Sequence, residues 1–444
     1  MSAAEERVEP KDRLFNPSRI PVTDEACQLV GEVLALLGSV EGRQKRRRAK
    51  DQAIHERAVS ALVCALAHRY LHEPTGWLAV ELSKGALSTS KRRAPFMTEQ
   101  FATLVKFLSA PGVGLVELRK GDQLSFGGRR STIRASSSLR QRIDDLAMEF
   151  GDFGRDPALL GEPLELRTEK VKKFLDGKVV FKADKLRLPD NEQVSRMRLQ
   201  MQEINSWISA ANLAWHGSAL DDKVDVGKRF LKRIFNNGSL EAGGRLYGGF
   251  WQPLAPSSRL SSILIDDEFV VSLDFAQSAL RMAYAQVGAE PPPGDLYAIS
   301  GLRSYRDETK WIINALLSSD EVHTRFPRQT RGRMPKSWKF ERVYSAIARH
   351  HEPITPLFGS SSGLRFMYQE SEILIRTLLR LKSMGIIALP IHDCVLVARR
   401  NGEMAKAVME ESFQEVIGVS GVVEMEGNIN KEDCGAAVGN NSYL

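Results

Sequence analysis

The chain has 444 residues, 43% of them hydrophobic, with 62 Lys and Arg against 55 Asp and Glu and a formal net charge of +7. That is enough apolar content for two or three domains, and the positive balance suits a polyanionic partner such as nucleic acid. No apolar run approaches a membrane span, and the polar, acidic start at Ser2-Ala3-Ala4-Glu5-Glu6 does not read as a signal peptide. Cys27, Cys64, Cys394 and Cys434 lie far apart without paired spacing, so the expectation is a reducing, cytoplasmic setting and no membrane partner.

Residues 1–150 read as a mainly helical, winged-helix-like DNA-binding region. Arg43-Gln44-Lys45-Arg46-Arg47-Arg48-Ala49-Lys50 is the densest basic run, either a solvated helix end or an arm contacting phosphates. An apolar-periodic helix is expected over 57–70. Cys64, His68 and His72 fall on one of its faces at i, i+4 and i+8, a spacing open to metal binding. With no fourth ligand evident, they read instead as a core thiol and two helix-surface histidines. Past Lys91-Arg92-Arg93, a helix beginning near Thr98 carries Phe101, Leu104, Val105, Phe107 and Leu108. Two strands, 115–119 and 131–135, then flank a glycine-rich basic loop from Lys120 to Arg130. Helices followed by a basic ribbon suggest a winged helix-turn-helix. Gln100, Thr103 and Lys106 would approach base edges, and Arg129 and Arg130 would hold phosphates. An ordinary helical domain with a hairpin is the alternative.

Residues 151–225 read as a linker and a thumb-like helix. The Gly-, Pro- and Lys-rich stretch 152–189 looks like a connection with short elements. Residues 191–215, with Met197, Leu199, Met201, Ile204, Trp207 and Ile208, read as one long helix placed to clamp a duplex.

Residues 226–444 carry the chemistry. Phe269-Val270-Val271-Ser272-Leu273-Asp274 is an apolar strand ending on an acid, and residues 275–285 after it have helical spacing. Arg306, Lys310, Asn314 and Ser318 stand at i, i+4, i+8 and i+12, while Ile312, Ile313, Leu316 and Leu317 turn inward. Cations at the start of such a face suit the phosphates of a nucleotide; a solvated face with local ion pairs is the alternative. An amphipathic helix over 364–384 is closed by Gly385. Two short apolar runs, 386–391 and 395–398, follow, broken by His392-Asp393: a β-hairpin with an acid at its tip. Asp274 and Asp393 can then lie side by side in one sheet. Two such carboxylates can bind a pair of divalent cations about 3.5–4 Å apart, with Mg2+ expected. The tail 428–444 is polar and rich in Gly and Asn.

These segments resemble the motifs of the family A DNA polymerases and the related single-subunit phage RNA polymerases. The family's first palm motif is a strand ending in Asp and continuing Tyr-Ser-Gln-Ile-Glu-Leu-Arg; the same frame here is Asp274-Phe275-Ala276-Gln277-Ser278-Ala279-Leu280-Arg281. Its fingers helix carries Arg and Lys four apart, like Arg306 and Lys310, and its last palm motif is a hairpin with His-Asp at the turn, like His392-Asp393. Gly244-Arg245-Leu246 with Pro253-Leu254, and Asp295-Leu296-Tyr297, are similar to two further segments, and all five stand in the family's order.

The resemblance covers roughly residues 243–398. It implies an α+β fold class, with a polymerase-like palm (an antiparallel sheet with helices) and helical fingers. Asp274, Asp393 and the Phe275 carbonyl would hold two Mg2+ ions, with Mn2+ as a substitute. Arg306 and Lys310 would neutralise the triphosphate, with Gln277, Asn314, Arg245 and Tyr297 also around the nucleotide. Arg245 would face the primer terminus or the incoming nucleotide, and His392 and Arg281 would attend primer or template. Basic contacts to nucleic acid fall to Lys45, Arg46, Arg47, Arg48, Arg129 and Arg130.

Four departures matter. Ala279 stands where the family's DNA polymerases carry Glu, Ser318 where both relatives carry Tyr, Asn314 where an aromatic is usual, and Cys394 where Glu follows His-Asp. Little remains to crowd out a ribose. Shorter connections between motifs imply trimmed fingers and a processivity or replication partner. The expected function is template-directed extension of a nucleic-acid 3′ end with release of pyrophosphate, using primer-template and duplex DNA and nucleoside triphosphates, in replication of a plasmid, phage or mobile element. The alternatives are an RNA polymerase or primase, a DNA-binding replication protein with an inactive polymerase-like domain, and a two-metal nuclease, which would have no use for Arg306 and Lys310.

Overall fold

Thr23 accepts a hydrogen bond from the Ala26 amide, and Asp24 and Glu25 occupy the turn that follows, so the first helix starts on a side-chain cap with favourable charge. The computed structural model describes residues 12–42, 46–85, 87–88, 94–121, 130–175, 178–217 and 224–427. The chain divides into two compact units, residues 1–161 with 218–228 and residues 162–217 with 229–444. The sequence suggested three consecutive stretches. The described residues 224–228 fall in the first unit and 162–217 in the second.

The first unit runs β1 (Arg13–Leu14), β2 (Arg19–Pro21), α1 (Asp24–Val40), α2 (Ala49–His72), β3 (Leu78–Val80), α3 (Glu99–Leu108), β4 (Val116–Arg119), β5 (Ser131–Ala135), α4 (Ser137–Asp145) and β6 (Phe153–Arg155). Its larger sheet has the order β1-β3-β5-β4, with β1 parallel to β3 and the other pairs antiparallel. Leu29 and Val33 of α1, Leu62 and Leu66 of α2, and Phe101 and Val105 of α3 bury one shared core with Ile133. Gln100, Thr103 and Lys106 are exposed on the other face of α3. Strand β3, not expected from the sequence, joins the β4–β5 ribbon. Lys45 and Arg129 lie outside the described residues. Arg47 pairs with Glu41 at 2.6 Å and Arg130 with Glu81 at 3.8 Å, while Arg46 and Arg48 are exposed.

His68 is not a surface histidine. It is 8% exposed, with Nε2 2.8 Å from Arg19 Nη2 and 3.3 Å from Asp225 Oδ2. Asp225 also pairs with Arg19 and, at 3.5 Å, with Arg155. Helical spacing shows which face His68 occupies, but not that a remote segment brings a carboxylate to it. Cys64 is buried in the core, as expected.

The second unit runs β7 (Leu164–Arg167), β8 (Val171–Leu175), β9 (Lys178–Lys182), β10 (Lys185–Leu186), α5 (Glu192–Ala210), β11 (Leu213–Trp215), β12 (Lys232–Phe235), β13 (Gly243–Tyr247), α6 (Pro256–Ser262), β14 (Ile263–Ile265), β15 (Glu268–Phe275), α7 (Ser278–Gln286), α8 (Arg306–Ser318), α9 (Phe340–His350), α10 (Gly363–Ser383), β16 (Ala388–Ile391), β17 (Cys394–Ala398), α11 (Gly402–Ile417) and β18 (Val423–Glu426). The central sheet has the order β11-β14-β15-β17-β16 with β18 also on β15, and every pair is antiparallel. Val395, Leu396, Val397 and Ala398 are all buried, the continuous apolar run expected of a strand covered on both faces. Phe366, Ile373, Leu374, Leu378 and Leu381 of α10 supply much of the buried helix face in this unit.

The long helix expected over 191–215 ends at Ala210. Residues Leu213–Trp215 instead pair with β14, Leu213 opposite Ile265, a partner that local periodicity cannot reveal. Among the described residues, the stretch 152–189 carries five short strands, of which β8 and β9 form a separate hairpin.

Candidate active site

Strand β15 lies against β17 in a register that runs from Val270 opposite Ala398 to Asp274 opposite Cys394. Asp393, the residue before Cys394, therefore stands at the end of β15 where Asp274 emerges. The turn that carries it has two residues, closed by Ile391 opposite Cys394. His392 takes φ +57, positive at the first central position, which suits the twist of a tight hairpin. Its ring packs edge-on against Tyr247 at 5.5 Å.

Both carboxylates line one cleft of about 220 Å³, together with Arg245 of β13, Lys310 and Asn314 of α8, and Glu370 of α10. Phe275, Gln277 and Tyr297 also line it, and Ala279, Ser318 and Gly363 contribute its small-residue wall. Three of the residues expected here do not line it. Arg306 is drawn away by Asp295, Arg281 donates to the Ser420 carbonyl at 3.3 Å, and His392 faces Tyr247. Arg306 shares its helix face with Lys310, but it is the first residue of α8 and can reach back to the preceding loop.

That loop is held from several sides. Gln277, with φ +61 ahead of α7, donates to Asp295 at 3.4 Å and accepts from the Leu296 amide at 3.3 Å. His351 bonds through Nε2 to the Leu296 carbonyl and through Nδ1 to the Tyr284 hydroxyl, both at 2.9 Å. The buried Tyr297 ring lies 5.6 Å from the Arg306 guanidinium and 6.0 Å from the Lys310 ammonium, which helps orient both cations.

The electrostatics are short of positive charge. Asp274 reaches solvent, but the cleft walls crowd it; that desolvation, with Asp393 beside it, raises its pKa to about 7 against the pull of Lys310. Glu370 is also raised, by burial first and Asp393 second. Arg245 opposes this through an ion pair at 2.8 Å, and Ser278 donates to Glu370 at 3.1 Å. Burial alone would lower Arg245, yet Glu370 holds it above its ordinary value. Cys394 is pushed up to about 12 by burial and stays a neutral thiol, 3.0 Å from the Ser272 hydroxyl.

Glu370 belongs to none of the motifs, although the sequence carries a signal for it. It sits between Phe366 and Ile373–Leu374 on the buried stripe of α10, where an acid needs a partner. Among the described residues, no group of three or more His, Cys, Asp or Glu side chains forms a self-contained metal site. The donor set still fits Mg2+, which takes one or two carboxylates and keeps its other positions for water and substrate phosphate. Two like charges face one cleft, while Arg245 is engaged by Glu370 and Arg306 by Asp295.

No family model matches the chain, and no curated protein sequence does. Among solved structures, the POL domain of Pol1 from M. smegmatis in complex with DNA primer-template and dNTP matches at 10% identity, over 93% of this chain and 67% of that chain, with a TM-score of 0.30. A likeness that loose carries no weight here, and the chemistry of the site stands on its own residues.

Proposed function

We propose that the second unit performs template-directed nucleotidyl transfer, extending a nucleic-acid 3′ end and releasing pyrophosphate. The observation that carries this reading is the register of β15 against β17, which brings Asp274 and Asp393 to one cleft with Lys310. Asp274 and Asp393, with the Phe275 carbonyl, are the residues to hold Mg2+. When bound, the metal supplies charge stabilisation at the attacking and leaving oxygens. Lys310 brings an ammonium to the triphosphate. Arg245, fixed by Glu370, presents a guanidinium of set direction to the primer end or the incoming nucleotide. Asn314 Oδ1 is buried without a hydrogen-bond partner, so a substrate donor has an acceptor waiting. In this reading the exposed face of α3 contacts DNA, and the enzyme serves replication of a plasmid, phage or mobile element. Asp274→Asn or Asp393→Asn should abolish extension of a primed template while single-strand binding persists. Undiminished extension by either variant rejects the mechanism.

A specific feature favours ribonucleotide use, as in an RNA polymerase or primase. Ala279, Ser318 and Gly363 line the cleft, and Gly363 packs so closely on α8 that a Cβ there would lie 2.5 Å from Ser318 Oγ. No bulky side chain among these three crowds a 2′-hydroxyl. Primed and unprimed templates, offered deoxy- or ribonucleotides separately, should yield products with both sugars. Strict rejection of ribonucleotides removes this reading.

A further inference from the structure

We infer that the β8–β9 hairpin is a stacking platform for single-stranded nucleic acid. Neither strand pairs with another strand among the described residues. Their register sets Lys172 opposite Phe181 and Phe174 opposite Val179, so these four side chains share one face. Phe174 is 73% exposed and Phe181 65%, whereas rings of this size are ordinarily buried. The two occupy diagonal positions, a separation of about 7–8 Å, wide enough for each ring to take its own base.

Charge decides between candidate occupants. Residues 170–182 hold five lysines, Lys170, Lys172, Lys173, Lys178 and Lys182, against one acid, Asp176. Lysines on exposed strand edges by themselves only discourage aggregation. Lys172, on the same face as the two solvent-facing phenylalanines, together with the positive balance of the segment, matches a strand that offers phosphates and unpaired base faces together. A wholly apolar partner would leave the lysines unused, and a folded duplex would keep its base faces out of reach. The inference rests on the hairpin alone and goes beyond the proposed activity of the carboxylate cleft.

The test uses the full chain and a fluorescent single-stranded oligothymidine, with affinity read by anisotropy. Phe174→Ala with Phe181→Ala should weaken binding by at least about tenfold, with unchanged thermal unfolding because both rings are exposed. Phe174→Leu with Phe181→Leu keeps apolar area but removes the ring faces, and should weaken binding as much. Lys172→Gln, which removes the lysine on the ring face, should make the salt dependence shallower, by roughly 0.7 in log–log slope. Asp274→Asn should bind as wild type does, so failure of the catalytic reading and failure of this one remain distinguishable. Wild-type affinity in the leucine pair would show that the ring faces do not hold the strand and would overturn the inference. So would an alanine pair that loses self-association in sedimentation while holding the oligonucleotide normally.

Discussion

Each unit holds a cluster of charged side chains around carboxylates, and the two are balanced in opposite ways. In the first, Asp225 meets the guanidiniums of Arg19 and Arg155 and the imidazole of His68. Burial works against its charge, but the His68 hydrogen bond and Arg19 hold Asp225 well below the usual carboxylate range. In the second, Asp274, Asp393 and Glu370 share one cleft, and Asp274 and Glu370 are pushed up. A cluster whose charges are met internally ties chain segments together. A cleft lined by three carboxylates against Arg245 and Lys310 is suited to a cation or a cation-bound substrate. The first reads as architecture and the second as chemistry.

Substitution should separate them most sharply. Asp393→Asn is expected to reduce primer extension by at least about a thousandfold, yet leave the thermal midpoint unchanged or raise it, because it removes repulsion on Asp274. Asp225→Asn should do the reverse to stability, costing about 3 kcal/mol in urea unfolding, because Arg19 is left buried without its carboxylate. A thermal midpoint that falls on Asp393→Asn would place this acid with the structural kind.

Acid should strain both units, through different groups. Burial depresses the folded-state pKa of His68, and lowers that of His351 to about 4. For a histidine shifted down, the stabilisation is complete above the unfolded value near 6.5 and is lost as pH falls toward the folded value. His351 alone then accounts for about 3 kcal/mol, lost between pH 6.5 and about 4. Asp225 is also shifted down, so its contribution is whole above about pH 4 and is lost below that. His351→Gln should flatten the upper part of the acid-unfolding curve and leave the lower part in place.

Glu370 lies in the cleft of the second unit, and the proposed mechanism does not require it. Glu370→Gln can retain the contacts to Arg245 and Ser278 while removing a negative charge near Asp393. The Mg2+ concentration for half-maximal extension should rise by about tenfold, with less effect on the rate at saturating metal. An unchanged metal requirement would mean that Glu370 only fixes Arg245.

How much of this could be seen in the sequence follows from range. The β15 strand, the α8 and α10 helices and the His392-Asp393 hairpin announce themselves because periodicity, a glycine stop and a polar break between apolar runs are local signals. The pairing of Asp274 with Asp393 was inferable only because two strands of matching character each deliver an acid. Other features depended on partners far along the chain. Asp225 reaches Arg19 across 206 positions and Glu370 reaches Arg245 across 125. Strand β11 reads as helix until β14 is beside it, and Arg306 reads as a phosphate ligand until Asp295 is.

Arg306 gives the smallest effect and bears most directly on the contrast between met and unmet charge. Its pair with Asp295 is part-exposed, the two side chains at 43% and 31%, so its loss should cost less than about 1 kcal/mol of stability. If the pair is purely architectural, Arg306→Ala changes extension little and Lys310→Ala carries the whole nucleotide effect. If a triphosphate draws Arg306 off Asp295, Arg306→Ala raises the nucleotide KM severalfold, and Asp295→Asn, which frees the guanidinium, lowers it. The geometry without nucleotide favours the first outcome, because Asp295 holds Arg306 through two nitrogens and the Tyr297 ring lies beside it. Measuring the two variants together distinguishes them, since a structural ion pair gives the same small loss from either side and a competing one gives opposite signs.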